Sequence, residues 1–110
     1  ANNNHIETIA MNLMDTGAGT ELVKQAHQRL GGLDMVINLA GIQTFKALED
    51  LSPQQIDMQI ALNLTLPIHI NQAAAGIFAQ QGSGTIVNIG STFGSIGFAQ
   101  FSVYSAAKFG

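Results

Sequence analysis

Two short apolar runs, Met35-Val36-Ile37 and Ile86-Val87, flank a helical stretch that starts at Ser52 and ends near Gln81. That order constrains the fold more than anything else in the chain. Neighbouring strands joined by so long a helix need a crossover connection, and a crossover leaves them parallel. The helix start is well marked. Ser52 serves as N-cap, Pro53 takes the first helical position and Gln55 closes a capping box. Gly82-Ser83-Gly84 ends the helix. Upstream, Ile6–Asn12 reads as a strand closing in a turn at Asp15-Thr16-Gly17. Leu22, Val23, Ala26 and Leu30 then share one face of a helix predicted over Ala18–Leu30, stopped by Gly31-Gly32. Strands at Asp34–Asn38 and Thr85–Ile89, a Gly- and Phe-rich loop from Gly90 to Phe101 and a helix from near Ser102 complete the alternation. The fold class is α/β with a parallel sheet.

Composition narrows the options further. Hydrophobic residues make up 46% of the 110, enough for a core, but charged residues only 10%, against a usual ~25%. From Met58 to Ala107 there is no Asp, Glu, Lys or Arg. So neutral a stretch is expected to pack against further chain or against another subunit. The net charge of −3 argues against a nucleic-acid partner. The absence of cysteine removes disulfides and thiolate metal sites and fits a cytoplasmic protein. His5, His27 and His69 lack ligand spacing, so no metal is expected. No apolar run reaches membrane-spanning length; Ile60 to Ile70 is broken by Asn63, Pro67 and His69. The start at Ala1 suggests a segment of something longer. Thr16-Gly17-Ala18-Gly19 looks like the opening of a dinucleotide phosphate loop, but Leu22 stands where the third glycine is required, so it reads as a turn.

Chemistry concentrates toward the end of the chain. Tyr104 and Lys108 are i and i+4, on one face of the last helix. A cation one turn away favours the phenolate form, which suits a tyrosine for proton transfer. Ser91, thirteen residues earlier, offers a hydroxyl for a carbonyl oxygen. Asn63 lies four residues before Pro67, whose missing N–H leaves the Asn63 carbonyl without its helical donor; a kink is expected there, and the free oxygen can hold a water. Asn38-Leu39-Ala40-Gly41 ends a strand, where parallel sheets bind ligands and small residues admit a cofactor to the backbone. Phe93, Ile96, Phe98 and Phe101 make the loop after the next strand too apolar for a solvent loop and suit a pocket wall.

Taken together, these residues resemble the short-chain dehydrogenase/reductase family, over nearly the whole chain from Ile6 to Gly110. Its Asn-Asn-Ala-Gly motif appears as Asn38-Leu39-Ala40-Gly41, with Leu39 replacing the second Asn. Its catalytic tetrad falls on Asn63, Ser91, Tyr104 and Lys108. The resemblance implies an incomplete Rossmann-type doubly wound sheet, with residues 1–110 as the central part of one dinucleotide-binding catalytic domain truncated at both ends. In the family's strand order, 3-2-1-4-5-6-7, this chain would supply the third, fourth and fifth strands.

The implied activity is NAD(P)-dependent hydride transfer between a nicotinamide and a carbonyl or secondary alcohol. Tyr104 would be the general acid/base, Ser91 would position the substrate oxygen, and Lys108 would hold the nicotinamide ribose. Cofactor contacts would come from Asn12 and Leu13 near the adenine, and from Asn38, Ala40, Gly41, Tyr104 and Lys108. Asn12-Leu13 departs from the family's Asp-Val, though an amide oxygen can still accept from adenine. Ser91, Phe93, Phe98 and Phe101 would line the substrate pocket. The choice between NAD and NADP is not legible, because it is set after the family's second strand. The resemblance further implies a homodimer or homotetramer built on the long helix and the last one. Without a phosphate loop, the 110 residues alone are expected to be inactive. The alternative is a non-catalytic dinucleotide-sensing regulator or scaffold of the same fold, which usually lacks the tyrosine or the lysine; both are present here.

Overall fold

The computed structural model describes residues 5–110. Helix α1 (Ala18–Leu30) has the bounds its period predicts. Gly17 and Gly31 flank it in left-handed conformation, φ 76° and 73°, a region glycine enters without a Cβ penalty. Strand β1 (Met35–Asn38) pairs in parallel with β2 (Thr85–Asn88), Met35 facing Thr85 and Asn38 facing Asn88. The ladder runs slightly past both ends, with Thr85 N–H donating to Asp34 O at 3.0 Å and Ile89 N–H to Asn38 O at 3.1 Å. The connection between the strands is the predicted helical crossover. Its capping box is complete: Ser52 Oγ accepts from Gln55 N–H at 3.1 Å and Gln55 Oε1 from Ser52 N–H at 3.0 Å.

The crossover is not one regular helix. Helix α2 (Pro53–Ile60) leads into a π-helical turn over Ala61–Thr65, and α3 (Leu66–Gln81) follows. Leu66 N–H donates to Ala61 O, five residues back. The kink expected at Pro67 therefore takes the form of a widened turn just before it. A single-turn helix at Thr92–Gly94 and helix α4 (Ser102–Phe109) complete the chain.

Ile6–Asn12, predicted as a strand, is not one. Among the described residues it joins no ladder, and a strand exists only through a partner. The turn after it forms as expected: Asp15 N–H donates to Asn12 O and Ala18 N–H to Asp15 O, each at 3.1 Å.

The core lies where α1 and α3 pack together and against one face of the sheet. Val23, Leu33, Leu66, Ile70, Ala74 and Phe78 are its buried members. The other sheet face is uncovered, leaving Met35 and Ile37 52% and 58% exposed. Parallel sheets are ordinarily covered on both faces. The Cα radius of gyration, 16.0 Å, exceeds the roughly 13 Å of a compact domain of this length. Both features describe part of a doubly wound layer structure. No helix of the described residues is long and apolar enough to cross a membrane.

Candidate active site

Because β1 and β2 are parallel and in register, their carboxyl ends deliver Leu39–Gly41 and Ile89–Gly90 to the same edge. Helix α4 brings Tyr104 and Lys108 to that edge, and the π-turn brings Asn63. A cavity of about 390 Å³ lies between them, lined also by Ile42 and Gln43. The Lys108 ammonium donates to Ile89 O at 3.1 Å and sits 5.9 Å from the Tyr104 ring centroid. An ammonium carries three donors, so this anchor leaves others for a ligand. Gly94 braces the lysine from outside: a Cβ there would lie 2.6 Å from Lys108 O, so only glycine lets the loop after β2 close on α4.

Asn63 holds the loop after β1 through its side chain. Its Oδ1 accepts from Ile42 N–H at 3.1 Å and its Nδ2 donates to Ile42 O at 2.5 Å. Gln59, one turn earlier, is 1% exposed and accepts from Thr44 N–H at 3.3 Å. Two amides four residues apart thus stitch the loop after β1 onto the crossover helix. Gly41 makes room for this, since a Cβ there would fall 2.6 Å from Asn63 Oδ1. Ser91 lies beside the cavity rather than in its lining. Its Oγ caps the turn at Thr92–Gly94, accepting from Phe93 N–H at 3.2 Å, which leaves its hydroxyl proton to donate. Phe93, Phe98 and Phe101 are also outside the lining. They form an aromatic group that abuts the Tyr104 ring, with centroids 4.9 to 6.0 Å apart among themselves.

The short-chain dehydrogenase family model matches residues 1–110. The chain belongs to that family. It is 40% identical over 90 residues to a D-beta-hydroxybutyrate dehydrogenase from Cupriavidus necator, a match covering 82% of this chain and 35% of that protein. Among solved structures it resembles the acetoin dehydrogenase of Salmonella typhimurium (TM-score 0.86, 32% identity, 94% of this chain and 41% of the other). It likewise resembles a metagenomic short-chain oxidoreductase in complex with NADP (TM-score 0.86, 30% identity, 94% and 47%). The chain spans little more than a third of the length of the curated relatives it matches. The fold is accordingly an incomplete Rossmann-type one.

In this short-chain dehydrogenase chain the remaining predicted contacts lie around the Tyr104 cavity. Asn38 is outside its lining, but with Ala40 it lines an adjoining cavity of about 270 Å³ that shares Asn63, Gly90 and Lys108 with it. Its Nδ2 donates to Asn71 Oδ1 and Asn88 Oδ1, each at 2.7 Å, and Asn71 Nδ2 donates to Asn88 Oδ1 at 3.2 Å. Both Asn38 amide hydrogens are therefore committed to bracketing the strand ends against α3. Leu13 and Ala40 line a smaller cleft of about 100 Å³ that shares Leu39 with the Tyr104 cavity. Asn12 folds back on its own turn, its Oδ1 accepting from Met14 N–H at 3.0 Å.

Gln59, Asn71 and Asn88 were not picked out by the sequence. The available signals were the four-residue spacing of Gln59 and Asn63 and the matching register of Asn38 and Asn88. Thr16–Gly19, rejected as a phosphate loop, serves as the turn into α1, and buried Gly19 lets α1 approach His69, Ile70 and Leu66 on α3.

Proposed function

We propose that a protein carrying this chain transfers hydride between a nicotinamide dinucleotide and a carbonyl or secondary alcohol, with Tyr104 as general acid/base. The observation that carries this reading is the meeting of Asn63, Tyr104 and Lys108 on one cavity at the carboxyl edge of parallel strands. The cavity fits such a cofactor: Gly41 and Gly90 open the backbone to it, and Lys108 has donors to spare beyond Ile89 O. The dinucleotide, NAD or NADP, supplies the hydride chemistry when bound.

The residues of the chain supply position and protons. Lys108 binds the ribose hydroxyls and stabilises negative charge on the Tyr104 oxygen. Tyr104 gives its proton to a developing alkoxide, or takes one from an alcohol. Ser91 donates its hydroxyl proton to the substrate oxygen, a contact that strengthens as charge develops there. Asn63 holds the loop after β1 in place, and its carbonyl, denied a donor by Pro67, orders the water that passes the proton outward.

Residues 1–110 are proposed to be the central part of the catalytic domain. The uncovered sheet face supports the expectation that they turn over nothing alone. The outward face of α3, where Ile68 is 55% exposed and no charge occurs, is proposed to join a homodimer or homotetramer. The test is steady-state oxidation of secondary alcohols by the full-length protein, read by dinucleotide absorbance for wild type and Tyr104→Phe. Near wild-type turnover in Tyr104→Phe would refute the acid/base role and favour the sensor or scaffold.

A further inference from the structure

Phe45 belongs to none of the motifs that point to the active site, yet it joins the aromatic group beside Tyr104. Its ring centroid lies 5.0 Å from that of Phe101. Phe101 and Phe93 in turn approach the Tyr104 ring at 6.1 and 6.3 Å, in edge-on geometry. The backbone fastens this arrangement. Lys46 N–H donates to Gln100 O at 3.2 Å, tying the loop after β1 to the loop after β2. Gln100 is held at φ 67°, a conformation that a non-glycine residue keeps only when its surroundings impose it. The two loops thus form one latched unit whose aromatic faces are only partly used. Phe45 remains 61% exposed and Phe98 57%. The loop after β2 brings no charge, because none occurs between Met58 and Ala107.

Resting on the reading of Tyr104 as proton donor, we infer that Phe45 is a specificity-determining residue, and that the latched aromatic wall selects a substrate with a flat apolar body, an aryl or aryl-alkyl ketone or alcohol. Phe45 and Phe98 present exposed rings on the group whose other members, Phe93 and Phe101, abut the Tyr104 ring, and such faces and edges suit offset or edge-on stacking on an aryl group. A short oxo or hydroxy acid would meet there no cation from the loop after β2.

The experiment compares kcat/KM of the full-length protein for 1-phenylethanol, 2-butanol and 3-hydroxybutyrate, in wild type, Phe45→Ala, Phe45→Tyr and Lys46→Met. Wild type should prefer 1-phenylethanol. Phe45→Ala should lower that value roughly tenfold and the 2-butanol value less than about twofold, while Phe45→Tyr keeps the preference. Unchanged dinucleotide affinity, read by fluorescence titration, shows that the variants are folded. Equal losses for 1-phenylethanol and 2-butanol overturn the inference. So does a preference for 3-hydroxybutyrate that Lys46→Met abolishes. A wild type that binds dinucleotide and oxidises none of the three refutes the hydride-transfer reading itself, and this inference with it.

Discussion

Gly41→Ala tests the link between the loop after β1 and the crossover helix. The new Cβ would sit 2.6 Å from Asn63 Oδ1, whereas real Cβ atoms essentially never come within 3.0 Å of a neighbour. Asn63 is only 7% exposed and is pinned on both sides by the Ile42 backbone, so it can yield only by giving up those bonds. Displacing it weakens two hydrogen bonds of about 0.5–1.5 kcal/mol each and leaves a buried amide poorly paired. The methyl group returns about 0.4–1 kcal/mol by restricting the unfolded chain. The net loss expected is about 1–3 kcal/mol. Urea unfolding of the full-length protein measures it, provided the transition is two-state. The decisive comparison is a double-mutant cycle with Asn63→Ala. Once the amide is gone, Gly41→Ala should be neutral or slightly stabilising. If Gly41→Ala costs as much in the Asn63→Ala background as in wild type, the clash lies elsewhere and the argument fails.

Tyr104→Phe in the full-length protein should lower kcat by at least about 100-fold with little change in dinucleotide affinity, as expected for a lost general acid. Lys108→Met should damage both, and steady-state kinetics with a binding titration separates the two patterns. Ser105 Oγ is buried without a hydrogen-bond partner among the described residues, so Ser105→Ala should leave the protein as stable or more stable by up to about 1 kcal/mol; a clear loss in thermal unfolding would reveal a hidden partner. Ala75 is exposed on the charge-free face of α3, and Ala75→Glu should shift the full-length protein toward monomer in sedimentation velocity, an unchanged profile placing any interface elsewhere.

What could be read from the sequence was whatever depends on neighbours in the chain. The ends of α1 and the Ser52–Gln55 box follow from period and caps, and the parallel sense of Met35–Asn38 and Thr85–Asn88 from the alternation of strand and helix, while their adjacency follows from the strand order that the family resemblance implies. Ile6–Asn12 has the composition of a strand, but composition does not supply a partner. Pro67 announced a lost hydrogen bond; it could not announce the extra residue in the turn before it, which depends on what each half of the helix packs against. At the site, Asn63, Tyr104 and Lys108 were marked by spacing and do share a cavity. Gln59, Asn71 and Phe45 were not marked, because an amide in a helix or a phenylalanine in a loop looks ordinary until the fold brings a backbone or a second ring to it.

The π-turn at Ala61–Thr65 separates two rotational phases. On its near side α2 packs against α4, and on its far side α3 packs against α1. A regular helix advances about 100° per residue, so one continuous phase would have to satisfy both neighbours at once. The wide turn lets each half face its own. Deleting one residue within it would repair the local hydrogen-bond pattern and still be disruptive, by swinging Ile70, Ala74 and Phe78 away from α1. An insertion there would misdirect them the other way. Apart from Asn63, this short segment should therefore tolerate substitution far better than any change in its length.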